Sequence, residues 1–144
     1  MLLERSGFPA AEQWSEHSWR GELLGEGRTI LIARAQHPVG VISIKTVAEL
    51  ADLHRLVVES RCRRRGIGTD LVRATLEVVR QLGVREVILD VAYHNEPAIA
   101  LYQQLGFEQL SARQNYYGPG RHALILKLYE LQTWPDGIAI TEER

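Results

Sequence analysis

The sequence predicts one mixed α/β domain around a single sheet, with a parallel strand–loop–helix–strand unit at its centre. Three observations lead to this prediction: a nearly continuous apolar run typical of a buried strand, helical apolar spacing on both sides of that run, and strand patterns towards both ends of the chain. A chain of 144 residues has the length of one domain with a true core. We expect this domain to span residues 1–131 and a loose tail to span 132–144, because Trp134-Pro135-Asp136-Gly137 is typical of a loop.

The first half of the chain is predicted to hold one helix and three strands. Ser15 is a suitable N-cap, and two glycines suit the end of the helix that follows it. The predicted elements are a helix over Glu16–Leu24, strands over Arg28–Ala35 and Val39–Ile44 with His37-Pro38 as the turn between them, and a third strand over Leu53–Val58.

The second half alternates helices and strands. Apolar residues recur at helical spacing from Thr69 until Gly83, and Asn95 can cap a second helix with Pro97 in its first turn. The predicted elements are a helix over Thr69–Leu82, a strand over Val87–Val91, a helix from Asn95 to Gly106, and closing strands over Phe107–Arg113 and Ala123–Tyr129.

Composition excludes several classes of function. The formal net charge is −1, so we expect no direct binding to nucleic acid or to an anionic membrane. No apolar run approaches the roughly 20 residues that a membrane-spanning helix needs. The single cysteine, Cys62, excludes an internal disulfide and suits the reducing cytoplasm. The histidines show no metal-ligand spacing, so we expect no metal.

A basic, glycine-containing loop joins the third strand to the following helix. The first turn of a helix has unpaired N–H groups and partial positive charge, so the loop predicts a site for a diphosphate. A Walker loop is excluded because no lysine follows Gly66 or Gly68, and a dinucleotide fingerprint would need a third glycine. The remaining pattern is Arg63-x-x-Gly66-x-Gly68.

This pattern resembles the acetyl-CoA loop of the GNAT superfamily of N-acetyltransferases, written Gln/Arg-x-x-Gly-x-Gly/Ala. A second segment, Asn95 to Phe107, resembles that superfamily's Asn-x-x-Ala-x-x-Leu-Tyr-x-x-x-Gly-Phe. The resemblance implies a GNAT-like fold, and the family's first strand and most of its first helix are expected to be missing before Phe8.

Two further stretches narrow the resemblance. Asn115-Tyr116-Tyr117 is similar to the loop between the last two strands of protein N-terminal acetyltransferases, and Gln13-Trp14-Ser15-Glu16 is similar to the Pro-Trp-Ser-Glu of the bacterial branch that acetylates a ribosomal protein. The chain departs from this pattern at Gln13, where proline is usual, and at His122, where aspartate is usual. A different peptide specificity is therefore expected.

The resemblance implies acetyl transfer from acetyl-CoA to a primary amine, with CoA as product. Backbone groups near the end of the third strand would bind pantetheine, and the basic loop would bind the diphosphate. The implied cofactor-binding residues are Leu56, Val57, Val58, Arg63, Arg64, Arg65, Gly66, Ile67, Gly68, Thr69, Asn95 and Tyr102.

The resemblance also implies the catalytic residues. Tyr102 would protonate the departing thiolate, and the backbone N–H of Val58 would stabilise the oxyanion. Asp90 would be the general base, or would position a water that serves as one. An α-amino group needs only modest help because its pKa of about 7.7–8.0 leaves a useful neutral fraction at pH 7.

The acceptor is expected to be the N-terminal α-amine of a protein, such as a ribosomal protein. Trp14, Trp19, Tyr116 and Tyr117 are the residues expected to line its groove. Two alternatives stay open from the sequence: an acetyltransferase for small-molecule amines, and a non-catalytic CoA-binding module. The sequence makes no prediction of the oligomeric state.

Overall fold

The computed structural model describes residues 26–34, 36–60 and 66–133. Within these ranges the elements, in chain order, are β1 (Arg28–Arg34), β2 (Pro38–Val47), β3 (Leu50–Val58), α1 (Ile67–Gln81), β4 (Glu86–Ala92), α2 (Glu96–Gln104), β5 (Glu108–Arg113), β6 (Ala123–Leu128) and a 3₁₀ helix (Leu131–Thr133). The described helices are too short or too polar to cross a lipid bilayer. The predicted Ser15 cap, the helix Glu16–Leu24 and the expected loss of a first strand all lie outside the described residues.

The six described strands form one sheet in the order β1-β2-β3-β4-β6-β5. Neighbouring strands run antiparallel except β3 and β4, which are parallel. Parallel neighbours need a crossover connection, and α1 supplies it between β3 and β4. The predicted mixed α/β class and the parallel strand–loop–helix–strand unit are both confirmed.

The core forms where α1 packs on the sheet. Leu71, Val72, Leu76 and Val79 recur at helical spacing, and all four are buried. Burying a side chain of this size stabilises the fold by roughly 1.5–3 kcal/mol. The helix side chains pack with buried strand residues that include Ile42, Ile44, Leu53, Val87, Leu89 and Leu126.

Helix α2 begins and ends where the sequence predicts. The side chain of Asn95 accepts a hydrogen bond from the Ala98 N–H at 3.3 Å, and Pro97 lies in the first turn. Tyr102 points into the core, where its ring meets the Phe107 ring edge-on with centroids 5.6 Å apart. The cap therefore fixes the start of a helix whose inner face bears Tyr102.

The hairpin between β2 and β3 differs from the prediction. Only Ala48 and Glu49 form the turn, so β2 extends to Val47 and β3 begins at Leu50. Ala48 has a φ of 54°, in the left-handed region where alanine is uncommon. Because this turn carries no glycine, asparagine or proline, the prediction ended both strands too early. The strand content of residues 45–52 was therefore missed.

The β1–β2 connection also differs from the prediction at its second end. Pro38 is the first residue of β2 rather than part of a turn. Proline is tolerated at the first residue of a strand because it has no N–H to donate to the ladder. The extended backbone therefore starts one residue before the predicted Val39.

The chain remains attached to the domain after β6. Leu131 is fully buried in the core cluster. The Gln132 side chain donates hydrogen bonds to the carbonyl oxygens of Arg80, at 3.0 Å, and Val84, at 2.6 Å. These contacts hold the 3₁₀ helix against the end of α1, while residues 134–144 of the predicted tail lie outside the described residues.

Candidate functional site

The sheet opens between its two central strands. β3 and β4 pair over four positions, the last of which joins Leu53 to Leu89. Both strands continue past this pair, β3 to Val58 and β4 to Ala92. Each keeps its outer neighbour, because β3 remains paired with β2 and β4 with β6. The result is a gap at the carboxyl ends of two parallel strands, where ligands bind in open α/β sheets.

A β-bulge on β3 lies at the start of the gap. Ser43 on β2 is opposite Arg55, whereas the next residue, Ile44, is opposite Leu53. His54 is therefore the extra residue on β3. A bulge bends its strand and redirects a side chain, and the His54 side chain lines the gap with 23% of its surface exposed.

A cavity of about 330 Å³ occupies the gap. Its walls come from β3, the end of β4, the start and inner face of α2, and the β5–β6 loop. Asn95, Ala98 and Tyr102 share one side of α2 because they are three and four residues apart. The residues that line the cavity are Asp52, Leu53, His54, Arg55, Leu56, Asp90, Val91, Ala92, Asn95, Ala98, Tyr102, Tyr116 and Tyr117.

Asp90 and Tyr116 meet across this cavity. The negative charge of Asp90 is the main cause of the raised pKa of Tyr116; partial burial and a hydrogen bond from the Tyr116 hydroxyl to the Asp90 carboxylate add to it. Asp52 acts in the same direction and Arg113 opposes it. The guanidinium carbon of Arg113 lies 5.3 Å from the centre of the Tyr116 ring. The β5–β6 loop is thereby connected to the carboxylate on β4.

Tyr102 contributes a neutral phenol to the cavity wall. Its side chain is 5% exposed, and burial raises its pKa well above the ordinary value, with a smaller contribution from Tyr117. Desolvation disfavours the phenolate, so the hydroxyl keeps its proton at neutral pH. Tyr102 can therefore act as a proton donor.

Asp52 and His54 lie close together on the β3 side. The His54 Nε2 and Asp52 Oδ2 atoms are 3.7 Å apart, and the side chains are 23% and 53% exposed respectively. Both residues line the cavity. The sequence analysis missed this pair because Asp52 was assigned to the segment before the third strand. From Leu50 to Leu53, exposed and buried residues alternate, a pattern that could have placed Asp52 in a strand. The bulge at His54 breaks that alternation.

The start of α1 lies beside the end of β3. Gly66 is the N-cap residue and has a φ of 79°, which favours glycine. Gly68 lies in close packing: an added Cβ would be 3.3 Å from Leu101 Cδ1 and 3.7 Å from Val58 Cγ2. Gly68 therefore lets α1, α2 and β3 approach one another. The N–H groups of the first turn have no acceptor within the helix, as an anion site requires.

The loop from Asn115 to Arg121 is held by its own hydrogen bonds. The Asn115 side chain accepts a hydrogen bond from the Gly120 N–H at 2.7 Å, and the Tyr117 N–H donates to the Arg121 carbonyl at 3.0 Å. Tyr116 and Tyr117 pack edge-on with ring centroids 5.1 Å apart. This arrangement presents both phenols to the cavity.

The structure brings together several residues proposed from the sequence. Asp90, Tyr102, Asn95, Leu56, Tyr116 and Tyr117 all line one cavity. Val57 is fully buried, so only its backbone could reach a ligand, and Val58 ends β3 next to Gly68. Trp14, Trp19, Arg63, Arg64 and Arg65 lie outside the described residues.

Metal ligation has no support within the part of the chain that the structure describes. No group of three or more histidine, cysteine, aspartate and glutamate side chains is placed there to hold an ion. The functional groups that line the cavity are two carboxylates, an imidazole, a guanidinium, an amide and three phenols.

Comparisons with known proteins find relatives that are named as N-acetyltransferases. The chain is 32% identical over 126 residues to the ribosomal protein bS18-alanine N-acetyltransferase of Salmonella typhimurium, covering 81% of this chain and 84% of the relative. It is also 32% identical over 84 residues to an N-alpha-acetyltransferase of Sulfurisphaera tokodaii, covering 58% of this chain but only half the length of that relative.

The fold comparison agrees. The crystal structure of the ribosomal-protein-S18-alanine N-acetyltransferase from Escherichia coli aligns with a TM-score of 0.81 and 26% identity, over 89% of this chain and 83% of that one. The model of the acetyltransferase (GNAT) family matches residues 2–107, which is more than half of the chain. With the cavity at the β3–β4 gap, these matches show that the chain belongs to the acetyltransferase (GNAT) family.

Proposed function

We propose that this chain transfers the acetyl group of acetyl-CoA to the N-terminal α-amine of a protein, such as a ribosomal protein. The observation that carries the proposal is that Asp90 on β4 and Tyr102 on α2 line the same cavity. Two relatives are named for acetylating the alanine of a ribosomal protein, which supports the acceptor class. The lone Cys62 supports the cytoplasm as the compartment.

The residues near the gap suit CoA. Backbone groups of Leu56, Val57 and Val58 lie where β3 has lost its β4 neighbour, so an extended pantetheine could pair there as an added strand does. The diphosphate would bind the first turn of α1, made by Gly66, Ile67, Gly68 and Thr69, with Arg63, Arg64 and Arg65 supplying positive charge. Asn95 lines the cavity as well as capping α2, and so is within reach of the same ligand.

Acetyl-CoA supplies the acetyl group in activated form, as a thioester. The chain must then remove a proton from the incoming ammonium, stabilise negative charge on the carbonyl oxygen, and return a proton to sulfur. The Val58 N–H is assigned to the oxyanion. Asp90 is assigned to the ammonium, either as its base or as the group that positions a water.

Tyr102 is assigned to the departing thiolate. A phenol of ordinary pKa about 10 gives a proton to a thiol of about 8.5 at a cost of roughly 2 kcal/mol. Burial raises the pKa of Tyr102, but the same desolvation penalises a thiolate in that cavity. The two effects oppose each other, so the transfer stays within reach of a step concerted with C–S cleavage.

Tyr116 and Tyr117 are assigned to the acceptor side of the cavity, with Trp14 and Trp19 as further groove residues. Both tyrosines line the cavity, and Tyr116 contacts the carboxylate assigned to the amine. A peptide entering beside the β5–β6 loop would therefore present its N-terminus to Asp90.

The direct test is acetyl transfer to a short peptide that begins with alanine, followed by mass spectrometry. We expect the free α-amine to be modified, and an internal lysine of the same peptide to remain free when the N-terminus is blocked. Tyr102→Phe should lower kcat about a hundredfold or more while CoA affinity changes little. Tyr129→Phe, which alters a half-exposed tyrosine outside the cavity, is the matched control.

The alternatives give different results in the same assay. Acetylation of small amines but not of peptides would favour a small-molecule acetyltransferase. CoA binding without transfer to any amine would favour a non-catalytic binding module. Either result would overturn the proposed function.

A further inference from the structure

His122 lies between the β5–β6 loop and the end of β4, and makes hydrogen bonds to both. Its backbone carbonyl accepts the Tyr93 N–H at 3.0 Å, and its Nδ1 atom accepts the Asn115 N–H at the same distance. The ring also packs against Tyr93, with centroids 5.2 Å apart. The residue is partly exposed, so protons from solvent can reach it. His122 therefore connects the start of the loop to the end of β4.

The hydrogen bond to Asn115 requires a neutral imidazole. A backbone N–H can only donate, so Nδ1 must offer its lone pair and the ring proton must be on Nε2. Protonation of Nδ1 would place two N–H donors opposite each other at 3.0 Å, where no hydrogen bond can form. Histidine is the side chain whose ordinary pKa, about 6.5, places this change near neutral pH. Mild acid can therefore break this contact.

Two other hydrogen bonds of the loop do not titrate in that range. The Asn115 side-chain amide accepts the Gly120 N–H at 2.7 Å, and the Tyr117 N–H donates to the Arg121 carbonyl at 3.0 Å. Amide and backbone groups carry the same protons at pH 5.5 and at pH 8. A change at the start of the loop between these pH values would therefore point to the His122 ring.

The contact is adjacent to the acceptor end of the cavity. Tyr116 follows Asn115 directly, and its hydroxyl donates a hydrogen bond to Asp90, the carboxylate assigned to the substrate's ammonium. Tyr116 and Asp90 both line the cavity. A shift of Asn115 would therefore move Tyr116 relative to that carboxylate. The diphosphate is assigned to the first turn of α1, which is a different element.

We propose that His122 is a positioning residue for the acceptor: its neutral ring holds the β5–β6 loop at the acceptor end of the cavity, and its protonation releases the loop. This inference rests on the proposed acetyl transfer and adds control of peptide binding by pH. Acidification should weaken peptide binding and leave CoA binding unchanged. The His122 ring takes no part in the proton transfers of the reaction.

The imidazolium would have no carboxylate partner among the described residues. None of the ion pairs there includes His122. The charge gained in acid is thus not balanced by an ion pair, and the hydrogen bond to Asn115 is lost. The titratable or charged groups on the elements around His122 are Asp90 on β4, Tyr93 and His94 after it, Arg113 on β5, and Tyr116, Tyr117 and Arg121 in the loop.

The kinetic test measures kcat/KM for the alanine peptide at saturating acetyl-CoA, from pH 5.5 to 8, in the wild-type protein and in His122→Asp. Aspartate can accept the Asn115 N–H, and with an ordinary pKa of about 3.9 it stays ionised across this range. Protonation of the substrate amine lowers both values equally and cancels in their ratio. We expect the ratio of wild type to variant to fall about fivefold between pH 8 and pH 5.5, the usual effect of one lost hydrogen bond.

His94→Gln is the matched control. His94 is exposed and packs edge-on against Tyr93, with ring centroids 5.6 Å apart. This variant removes a titrating ring from the same neighbourhood and keeps both partners of the His122–Asn115 hydrogen bond. We expect it to retain the pH profile of the wild type. A profile that is flattened by His94→Gln and not by His122→Asp would overturn the inference.

NMR of the wild-type protein tests the contact without turnover. As pH falls, the chemical shift of the Asn115 amide proton should change with the same midpoint as the ring signals of His122, and this amide should exchange faster with solvent. In His122→Asp the same amide shift should not respond over this range. An Asn115 amide that does not follow the His122 titration in the wild type would overturn the inference.

The outcomes separate the inference from the proposed function. A wild-type enzyme that acetylates the peptide, with a ratio to His122→Asp that is flat across pH, overturns the inference and leaves the function standing. A wild-type protein that acetylates no amine overturns the function even if the Asn115 amide follows the His122 titration, and the role of the loop in acceptor binding is overturned with it.

Discussion

The Nδ1 atom of His122 accepts a hydrogen bond from the backbone N–H of Asn115 at 3.0 Å. This contact ties the first residue of the tyrosine-bearing loop to the residue before β6. The imidazole ring also packs against Tyr93, with ring centroids 5.2 Å apart. Asn115 itself has a φ of 56°, in the left-handed region that asparagine adopts more readily than most residues, and its side chain accepts the Gly120 N–H.

Removing the acceptor at position 122 should weaken peptide binding. In His122→Ala the Asn115 N–H loses its partner, and we expect KM for the peptide to rise about fivefold, equivalent to about 1 kcal/mol, with little change in CoA affinity. His122→Asp keeps an acceptor and should stay closer to the wild type. Steady-state kinetics on both variants check this, and equal KM values in His122→Ala and wild type would contradict it.

The buried Tyr102 phenol should make the fold sensitive to alkali. An unfolded tyrosine has a pKa of about 10, whereas burial raises the pKa of Tyr102 in the folded state. Its stabilising contribution is therefore complete below pH 10 and is lost as pH rises above it, because the unfolded chain releases that proton first. We expect the free energy of unfolding to fall by about 1.4 kcal/mol per pH unit from this residue alone.

Urea unfolding between pH 9.5 and 11 measures that slope. Tyr102→Phe should remove this component, whereas Tyr129→Phe should retain it. Identical slopes in wild type and Tyr102→Phe would show that the phenol does not resist ionisation.

Two substitutions of Gly68 should separate the effect of an added side chain on packing from the effect of an added negative charge on CoA binding. In Gly68→Ala the new Cβ lies 3.3 Å from Leu101 Cδ1, which must shift by a few tenths of an ångström, while alanine favours the helix by about 1 kcal/mol. We expect little net change in stability. Gly68→Asp adds a negative charge at the proposed diphosphate site and should weaken CoA binding at least tenfold.

Calorimetric titration with CoA and thermal melts distinguish the two effects. Leu82→Asp places the same charge at the exposed far end of α1 and is the matched control. Equal CoA affinity in Gly68→Asp and Gly68→Ala would contradict the placement of the diphosphate.

Gln132 should matter for stability although it follows the predicted end of the domain. Gln132→Ala removes the side-chain hydrogen bonds to the Arg80 and Val84 carbonyls. We expect a loss of about 1–2 kcal/mol in the free energy of unfolding. Thr133→Ala, which loses only a local bond to Glu130 at 3.2 Å, should cost less. Equal losses measured by urea unfolding would show that residue 132 belongs to a loose tail.

The elements that local signals specify were predicted well. Asn95 caps α2, Pro97 lies in its first turn, and the periodic Leu71, Val72, Leu76 and Val79 form the inner face of α1. Caps and apolar spacing act over one or two turns, so a single sequence contains them. The family resemblance followed from two such segments, and it is confirmed by the family match.

The features that depend on distant residues were not predicted. The Ala48 turn has no local signal, and Asp52 joins the cavity only because β3 starts early and pairs beside β4. Likewise, no sequence pattern indicates that Tyr116 bonds Asp90, or that Asn115 bonds His122. These contacts are set by strand register and loop closure, which local composition does not encode.

The short pairing between β3 and β4 is the only strand pairing that joins the two halves of the described sheet. Strands β1, β2 and β3 form one half, and β4, β6 and β5 form the other. Within each half the neighbouring strands pair along most of their length. Helix α1 packs mainly on the half that contains β1, β2 and β3, so it adds few contacts across the β3–β4 pairing. A ligand that contacts both β3 and β4 at the gap would join the two halves of the sheet. The unfolding of either half would then depend on the other.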